Sequence, residues 1–441
     1  MNKVQEPTVR KTLTVATSRI PWQPLIGLVA AIVVMSIVVV SGQELKHVPP
    51  ASPTFVVLHR FTGADGASPI AGLIRDAAGN LYGTTYQGGA FGHGVVFELI
   101  RCNSGYDFEM LYSFTAGADG ADPVAGLVRD TAGNLYGTTV VGGTSNSGVV
   151  FKLSPTGTET VLYSFSGGAD GGQPVAGLVR DAAGSLYGTT RGGGSSACSL
   201  GAGNCGVVFK VSPTRTETVL HSFTGGADGA FPQAGLIQDL GGNLYGTTAL
   251  GGATSTCNPS FGCGVVFKLT LTGTETVLHS FTGADGGPYA LGLIQDAAGN
   301  LYGTTNEGGS SACEGGCGAV FKLSPIGIGT VLHRFTGGAD GFWPFAGLIQ
   351  DTAGNLYGTT LAGGAESQRC VQPTCGVVFR LSPTGTETVL HTFTGSADGG
   401  SPQAGLIQDA AGNLYGTAAI GGATNTCNPP YGCGVVFRLT P

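Results

Sequence analysis

The sequence predicts an all-β protein, a seven-bladed β-propeller of four-stranded blades preceded by an N-terminal hydrophobic helix. Three observations predict it. First, the decapeptide DAAGNLYGTT at Asp76 returns with small changes at Asp130, Asp181, Asp239, Asp296, Asp351 and Asp409, at spacings of 51 to 58 residues. A period of this length suits propellers, in which one repeat is one blade. Second, each unit holds four short apolar, β-branched or aromatic runs bounded by Gly, Asn, Pro and Asp, and residues 54–441 show no helical periodicity. Third, the chain has 79 glycines in 441 residues and only 11% charged residues, yet 41% are hydrophobic. The glycine follows no triplet period, which excludes collagen, and the apolar content argues against disorder. A parallel β-helix is the main rival architecture.

The N-terminus differs from the rest. Residues 1–24 form a basic leader in which Lys3, Arg10, Lys11 and Arg19 outweigh Glu6. Leu25 to Val40 is apolar except for Ser36, so 25–42 reads as a transmembrane anchor or as the hydrophobic core of a signal peptide cleaved near Gly42. Either way the positive charge before it places the remaining chain outside the cytoplasm. Residues 43–54 are a linker, and 55–441 are the seven repeats. The net charge is −7, and with +3 on residues 1–24 the rest carries −10. An acidic chain without a basic stripe is unsuited to nucleic acid.

One unit can be followed from residue 234: AGLIQD as the inner strand, LGGN as a turn and LYGTT as the second strand. A Gly-Gly loop comes next, then GVVFKL as the third strand, TLTGTE as a turn and TVLHSF as the outer strand. Small Ala-Gly suits the crowded axis, which sets this order. The chain ends after a third strand, while FVVLHRF (55–61) precedes the first inner strand. These two segments are therefore expected to pair and close the ring, sealing otherwise exposed edges.

Ten of the eleven cysteines fall into five close pairs, each just before Gly-Val/Ala-Val-Phe: Cys198–Cys205, Cys257–Cys263, Cys313–Cys317, Cys370–Cys375 and Cys427–Cys433. In an exported chain these read as loop disulfides rather than zinc ligands, because each loop brings two thiols and no histidine. Cys102 is left over.

The D-x-x-G-N-L-Y-G-T-T core, the G-V-V-F-K-L strand and the V-L-H-S-F-T-G-G-A-D-G segment resemble the GloVer tandem repeat of bacterial "choice-of-anchor" surface proteins. The Asp-x-x-Gly-Asn-Leu-aromatic core is also similar to repeats of sensor-type propellers. The resemblance spans about residues 55–441 and implies an exported, anchored repeat protein of unknown activity. Versions with a C-terminal sorting tail differ from this chain, which ends on a repeat strand, so the N-terminal segment is the expected anchor.

Seven copies of one decapeptide cannot converge on one reaction centre, so DAAGN reads as a turn and the tyrosine as a contact between blades. His59, His221, His279, His333 and His391 share one strand position with Tyr112 and Tyr163, as a packing ring would. The Gly-Ala-Asp-Gly segments carry Asp65, Asp119, Asp170, Asp228, Asp285, Asp340 and Asp398. They read as turns, with weak calcium binding as the alternative, although each supplies one carboxylate where six to eight oxygens are usual. Strand parity puts these links and the Gly-Gly/Cys loops on one face, opposite the DAAGN turns. There the copies differ. The link holds Ser68, Asp122, Gln173 and Ser401 in four units, but Phe231, Tyr289 and Phe342-Trp343, with Phe345 nearby, in units four to six. These five aromatics are the candidate ligand-binding residues, for a glycan or a protein. No catalytic residue is assigned. Glu307, Glu314 and Glu366 are unrepeated acids near them, so a glycan lyase or hydrolase is the alternative to a binding or scaffolding module. A purely structural surface protein is the third reading.

Overall fold

The computed structural model describes residues 52–441 except 197, 201–203, 253–260, 288, 365–369, 371–374, 423–426 and 428–430. The basic leader and the apolar segment 25–42 lie outside the described residues, as do Cys257 and Glu366.

Seven four-stranded antiparallel sheets follow one another, each a meander from inner to outer strand. Blade 1 runs Ile74–Arg75, Leu81–Thr85, Val95–Cys102 and Gly105–Ser113. Blade 7 takes three strands from the C-terminus (Ile407–Gln408, Leu414–Ala418, Val435–Thr440) and its outer strand from Thr54–Arg60. Phe55 pairs with Leu439 and Arg60 with Val435, so the expected closure is present, with the strand one residue earlier than 55–61. A side-chain bond repeats around the ring and closes it too: Thr84 Oγ1 donates to the Ala125 carbonyl of the next blade at 3.2 Å, and Thr417 Oγ1 to Ala71 at 3.1 Å.

The inner strand needs correction. AGLIQD was expected to be a strand throughout, but in six blades only its Ile/Val-Gln/Arg pair joins the ladder. Two causes act together. The segment enters through a proline, which has no N–H to give a ladder. Its glycines then line the axis: a Cβ on Gly126 would lie 3.2 Å from the Gly72 carbonyl, and one on Gly405 would lie 3.4 Å from that of Gly347. Blade 5 is the exception, with a ladder over Ala290–Gln295. Its sequence reads Pro-Tyr-Ala where the others read X-Pro, so Ala290 can pair with Thr305.

Each seam between blades holds one apolar cluster. Period-2 alternation explains the sharing: Val95, Phe97 and Leu99 of one third strand enter the seam with blade 7, while Val96 enters the seam with blade 2. The glycine of LYGTT is also explained. A Cβ on Gly83 would stand 2.6 Å from Phe97 and 2.9 Å from Leu73, so glycine lets the phenyl ring lie flat on the neighbouring strand.

The decapeptide is a closed hydrogen-bond unit. Asp76 Oδ1 accepts the Gly79 and Asn80 backbone N–H groups, both at 2.9 Å, and Oδ2 accepts Asn80 Nδ2 at 3.2 Å and the Tyr82 hydroxyl at 3.1 Å. The tyrosine-to-aspartate bond returns in each later blade. These turns therefore spend their polar groups on themselves.

Candidate functional site

The opposite face is built from the Gly-Ala-Asp-Gly links and the Gly-Gly loops, tied by backbone bridges such as Ala67 to Gln87 and Ala230 to Leu250. Each link aspartate is anchored. Asp285 accepts the Thr282 N–H and Oγ1, both at 2.8 Å, and its other oxygen lies 2.8 Å from His279 Nε2. Burial works to raise this carboxyl, but the bonds from His279 and Thr282 outweigh it and hold the pKa at about 2. In blades 1 and 2 the Tyr112 and Tyr163 hydroxyls donate to Asp119 and Asp170 at 3.0 and 2.9 Å. Histidine and tyrosine exchange at this position because each sets a polar ring atom against the same carboxylate: His59 and His279 within hydrogen-bond distance, and His221, His333 and His391 at 3.3 to 3.4 Å.

Beyond each aspartate one non-glycine residue adopts the left-handed backbone region: Ser68, Asp122, Gln173, Phe231, Tyr289, Trp343 and Ser401, with φ between 53° and 62°. These are the positions at which the copies differ. Holding a bulky residue there costs on the order of 1–3 kcal/mol, so backbone preference does not account for Phe, Tyr and Trp in blades 4 to 6. In six blades the next residue is proline, and its ring sits against a glycine of the preceding blade. A Cβ on Gly206, for instance, would lie 2.8 Å from Pro232. Blade 5 has Ala290 in that place.

At this seam, between blades 4 and 5, a cleft of about 1110 Å³ opens. Phe231 and Tyr289 line it, with Leu200, Leu250, Phe261 and Glu307. Two of the five predicted aromatics and one of the three predicted acids thus share one cavity. Glu307 stands just before a Gly-Gly pair, where the other blades carry Gln87, Val141, Gly192, Leu250, Ala362 and Ile420. Burial lifts its carboxyl above the usual glutamate range.

The other predicted residues lie elsewhere. Phe342 packs into the cluster between blades 5 and 6 and meets Trp343 edge-on at 4.9 Å. Trp343 is half-buried, and Phe345 is 36% exposed. Glu314 is exposed in the loop closed by Cys313–Cys317. Four expected disulfides are formed: Cys198–Cys205, Cys313–Cys317, Cys370–Cys375 and Cys427–Cys433. Cys263 is also disulfide-bonded, and its expected partner Cys257 lies outside the described residues. Cys102 is a free thiol.

One pair escaped the sequence reading. His93 Nδ1 lies 3.7 Å from Asp122 Oδ1, across the seam of blades 1 and 2. Burial raises the Asp122 carboxyl, with His93 pulling the other way. The available signal was register: His93 precedes Gly94 where blades 3 to 7 have cysteine before the same glycine.

Fold and loop face together define a closed seven-bladed propeller made from one repeated unit, with a cleft where the repeat departs from its pattern. The chain belongs to the Gloeobacter/Verrucomicrobia repeat family, whose model matches residues 45–200, 197–371 and 254–441. No curated protein sequence matches it. Among solved structures, the chain is similar to the extracellular domain of a protein described as a hybrid two-component system from B. thetaiotaomicron. That match has 13% identity and a TM-score of 0.50, over 89% of this chain and 41% of the other. It is also similar to the extracellular domain of a protein described as a one-component system from the same organism, at 14% identity and a TM-score of 0.52, over 88% and 42%. This chain spans about two fifths of those neighbours' length, and at such identity the likeness is one of fold.

Proposed function

We propose that this propeller is a binding module on the outer side of the cell envelope, held by its N-terminal apolar segment. Its ligand stacks on Phe231 and Tyr289 in the cleft between blades 4 and 5. The observation that carries the reading is the coincidence of three departures at one seam: the link whose proline stands one residue earlier than in the other blades, aromatic residues in the left-handed region, and the acid before the Gly-Gly pair. Repeated positions serve the ring, whereas these positions are free to serve a ligand. Aromatic faces with polar tips suit such contacts, and Trp343 and Phe345 on blade 6 extend the same aromatic side of the ring. The disulfides support an oxidising compartment, because such bonds persist outside the cytoplasm. A two-carboxylate glycosidase needs a second acid across the cleft. Among the described lining residues Glu307 is the one carboxylate, which favours binding over hydrolysis.

The test is an array of glycans and peptides probed with the full chain and with the double variant Phe231→Ser, Tyr289→Ser, which gives blades 4 and 5 the link residue of blades 1 and 7. Signals on the wild type that drop at least tenfold in a variant of unchanged melting temperature support the reading. An unchanged binding pattern contradicts it.

A further inference from the structure

The chemistry of the cleft says more about its ligand. Among the described residues, its lining has aromatic and aliphatic walls, one carboxylate, and no lysine, arginine or histidine. Among the described residues, no hydrogen bond or ion pair engages the Glu307 carboxylate. Burial is the cause that perturbs it. Its neighbour Asn306 is 5% exposed and its Oδ1 makes no hydrogen bond. That loop is tied to the cleft, because the Asn306 N–H donates to the Tyr289 carbonyl at 3.4 Å.

The Glu307 carboxylate is an acceptor in the lining, so the cleft presents an acceptor whose donors must come from elsewhere. Glu307 is half-buried, and a partly desolvated carboxylate without a partner gains from an opposite charge beside it. The walls point the same way. Phe231, Phe261 and Tyr289 line the cleft, and the face of such a ring attracts a cation within about 6 Å of its centroid. A neutral sugar would gain the stacking but would leave the charge unanswered. An anion would meet Glu307 and a chain of net charge −7.

We propose that the cleft selects an organic ammonium ion: an apolar body lying on Phe231 and Tyr289, with its N–H donors on the Glu307 carboxylate. This rests on the binding reading above and adds the charge of the ligand. The cavity, about 1110 Å³, is slightly larger than the roughly 300–1,000 Å³ usual for small-molecule sites. Proton and ammonium compete for the same carboxylate, so affinity rises with pH as Glu307 ionises and falls only when the amine itself loses its proton.

The experiment compares two probes of nearly equal shape, 2-phenylethylammonium and neutral 2-phenylethanol, by calorimetry or ligand-observed NMR on the full chain at pH 8. The expected result is at least tenfold tighter binding of the ammonium. That preference is lost in Glu307→Gln, while affinity for the alcohol stays the same. Equal affinity for both probes, or a preference that survives in Glu307→Gln, overturns the charge assignment and leaves the cleft as a neutral binding site. Failure of both probes to bind the wild type overturns the cleft reading with it. An acetyl-capped lysine pentapeptide identifies the source: binding equal to that of the amine points to a protein side chain, and weaker binding to a small solute, with the charge assignment upheld in either case.

Discussion

The seam between blades 3 and 4 and the seam between blades 4 and 5 are built from the same sequence pattern, yet they differ at both ends. At the first, Pro232 sits against Gly206 on the loop face, and at the rim Glu275 of blade 4 lies beside His221 and Asp228 of blade 3. At the second, Ala290 replaces the proline, and Gly329 takes the place of the glutamate, where a Cβ would stand 3.2 Å from His279. Between these ends the two cores match, with Tyr187 and Phe267 in one and Tyr245 and Phe321 in the other. The difference teaches where the molecule can afford variety. The middle of a seam holds the ring together, and its ends can be given over to a ligand.

The largest expected effect tests the sameness of the two cores. Phe267→Ala and Phe321→Ala each remove a buried ring and should each cost about 3–5 kcal/mol, measured by denaturant unfolding. A markedly cheaper Phe321→Ala would mean that the second seam is loose throughout, so that its cleft reflects poor packing.

A smaller effect concerns the rim carboxylates. Burial, then the nearby Asp119 or Asp170, pushes Glu159 and Glu217 from 4.5 up to about 7. A folded pKa above the unfolded one gives stability that is complete below about 4.5 and is lost as pH rises through about 7. Asp285, held at about 2 against an ordinary 3.8, contributes in the opposite sense: its stability is present above 3.8 and is lost as pH falls towards 2. The melting temperature should therefore be higher at pH 5 than at pH 8, and Glu159→Gln with Glu217→Gln should flatten that slope. Substitution of Gly329, where the seam has no glutamate, should leave the slope unchanged.

The smallest effect is expected from metal removal. The link carboxylates beside the cleft are already engaged: Asp285 accepts bonds from Thr282 and lies 2.8 Å from His279 Nε2, and Asp228 accepts from Thr224 with His221 Nε2 at 3.4 Å. EDTA followed by calcium should leave the melting temperature of the full chain unchanged, and a drop restored by calcium would reinstate the calcium alternative for these loops.

Much of this comparison is legible in the sequence. The period gives the blade number, Ala-Gly gives the phase, and parity separates the quiet face from the variable one, all from local pattern. The aromatic links stand out because the four other copies hold Ser, Asp or Gln at that position. The rest depends on contacts that the local pattern does not state, within a blade or between blades. The truncated inner strand follows from glycines meeting at the axis. The His/Tyr ring is explained by an aspartate beyond the next turn, and the LYGTT glycine by a phenylalanine on the adjoining strand. Glu307 was legible as an unrepeated acid, but its meeting with Phe231 was not, because two loops of different blades form that cavity. His93 and Asp122 were hidden for the same reason.

The most direct test of the central claim is hydrogen–deuterium exchange on the full chain, with and without a ligand recovered from the array. Protection confined to residues 229–232, 282–289 and 307–316, with the DAAGN turns unaffected, is the result expected if function lies where the repeats depart from one another at the seam of blades 4 and 5. Protection on the DAAGN face, or spread equally over all seven links, would contradict it.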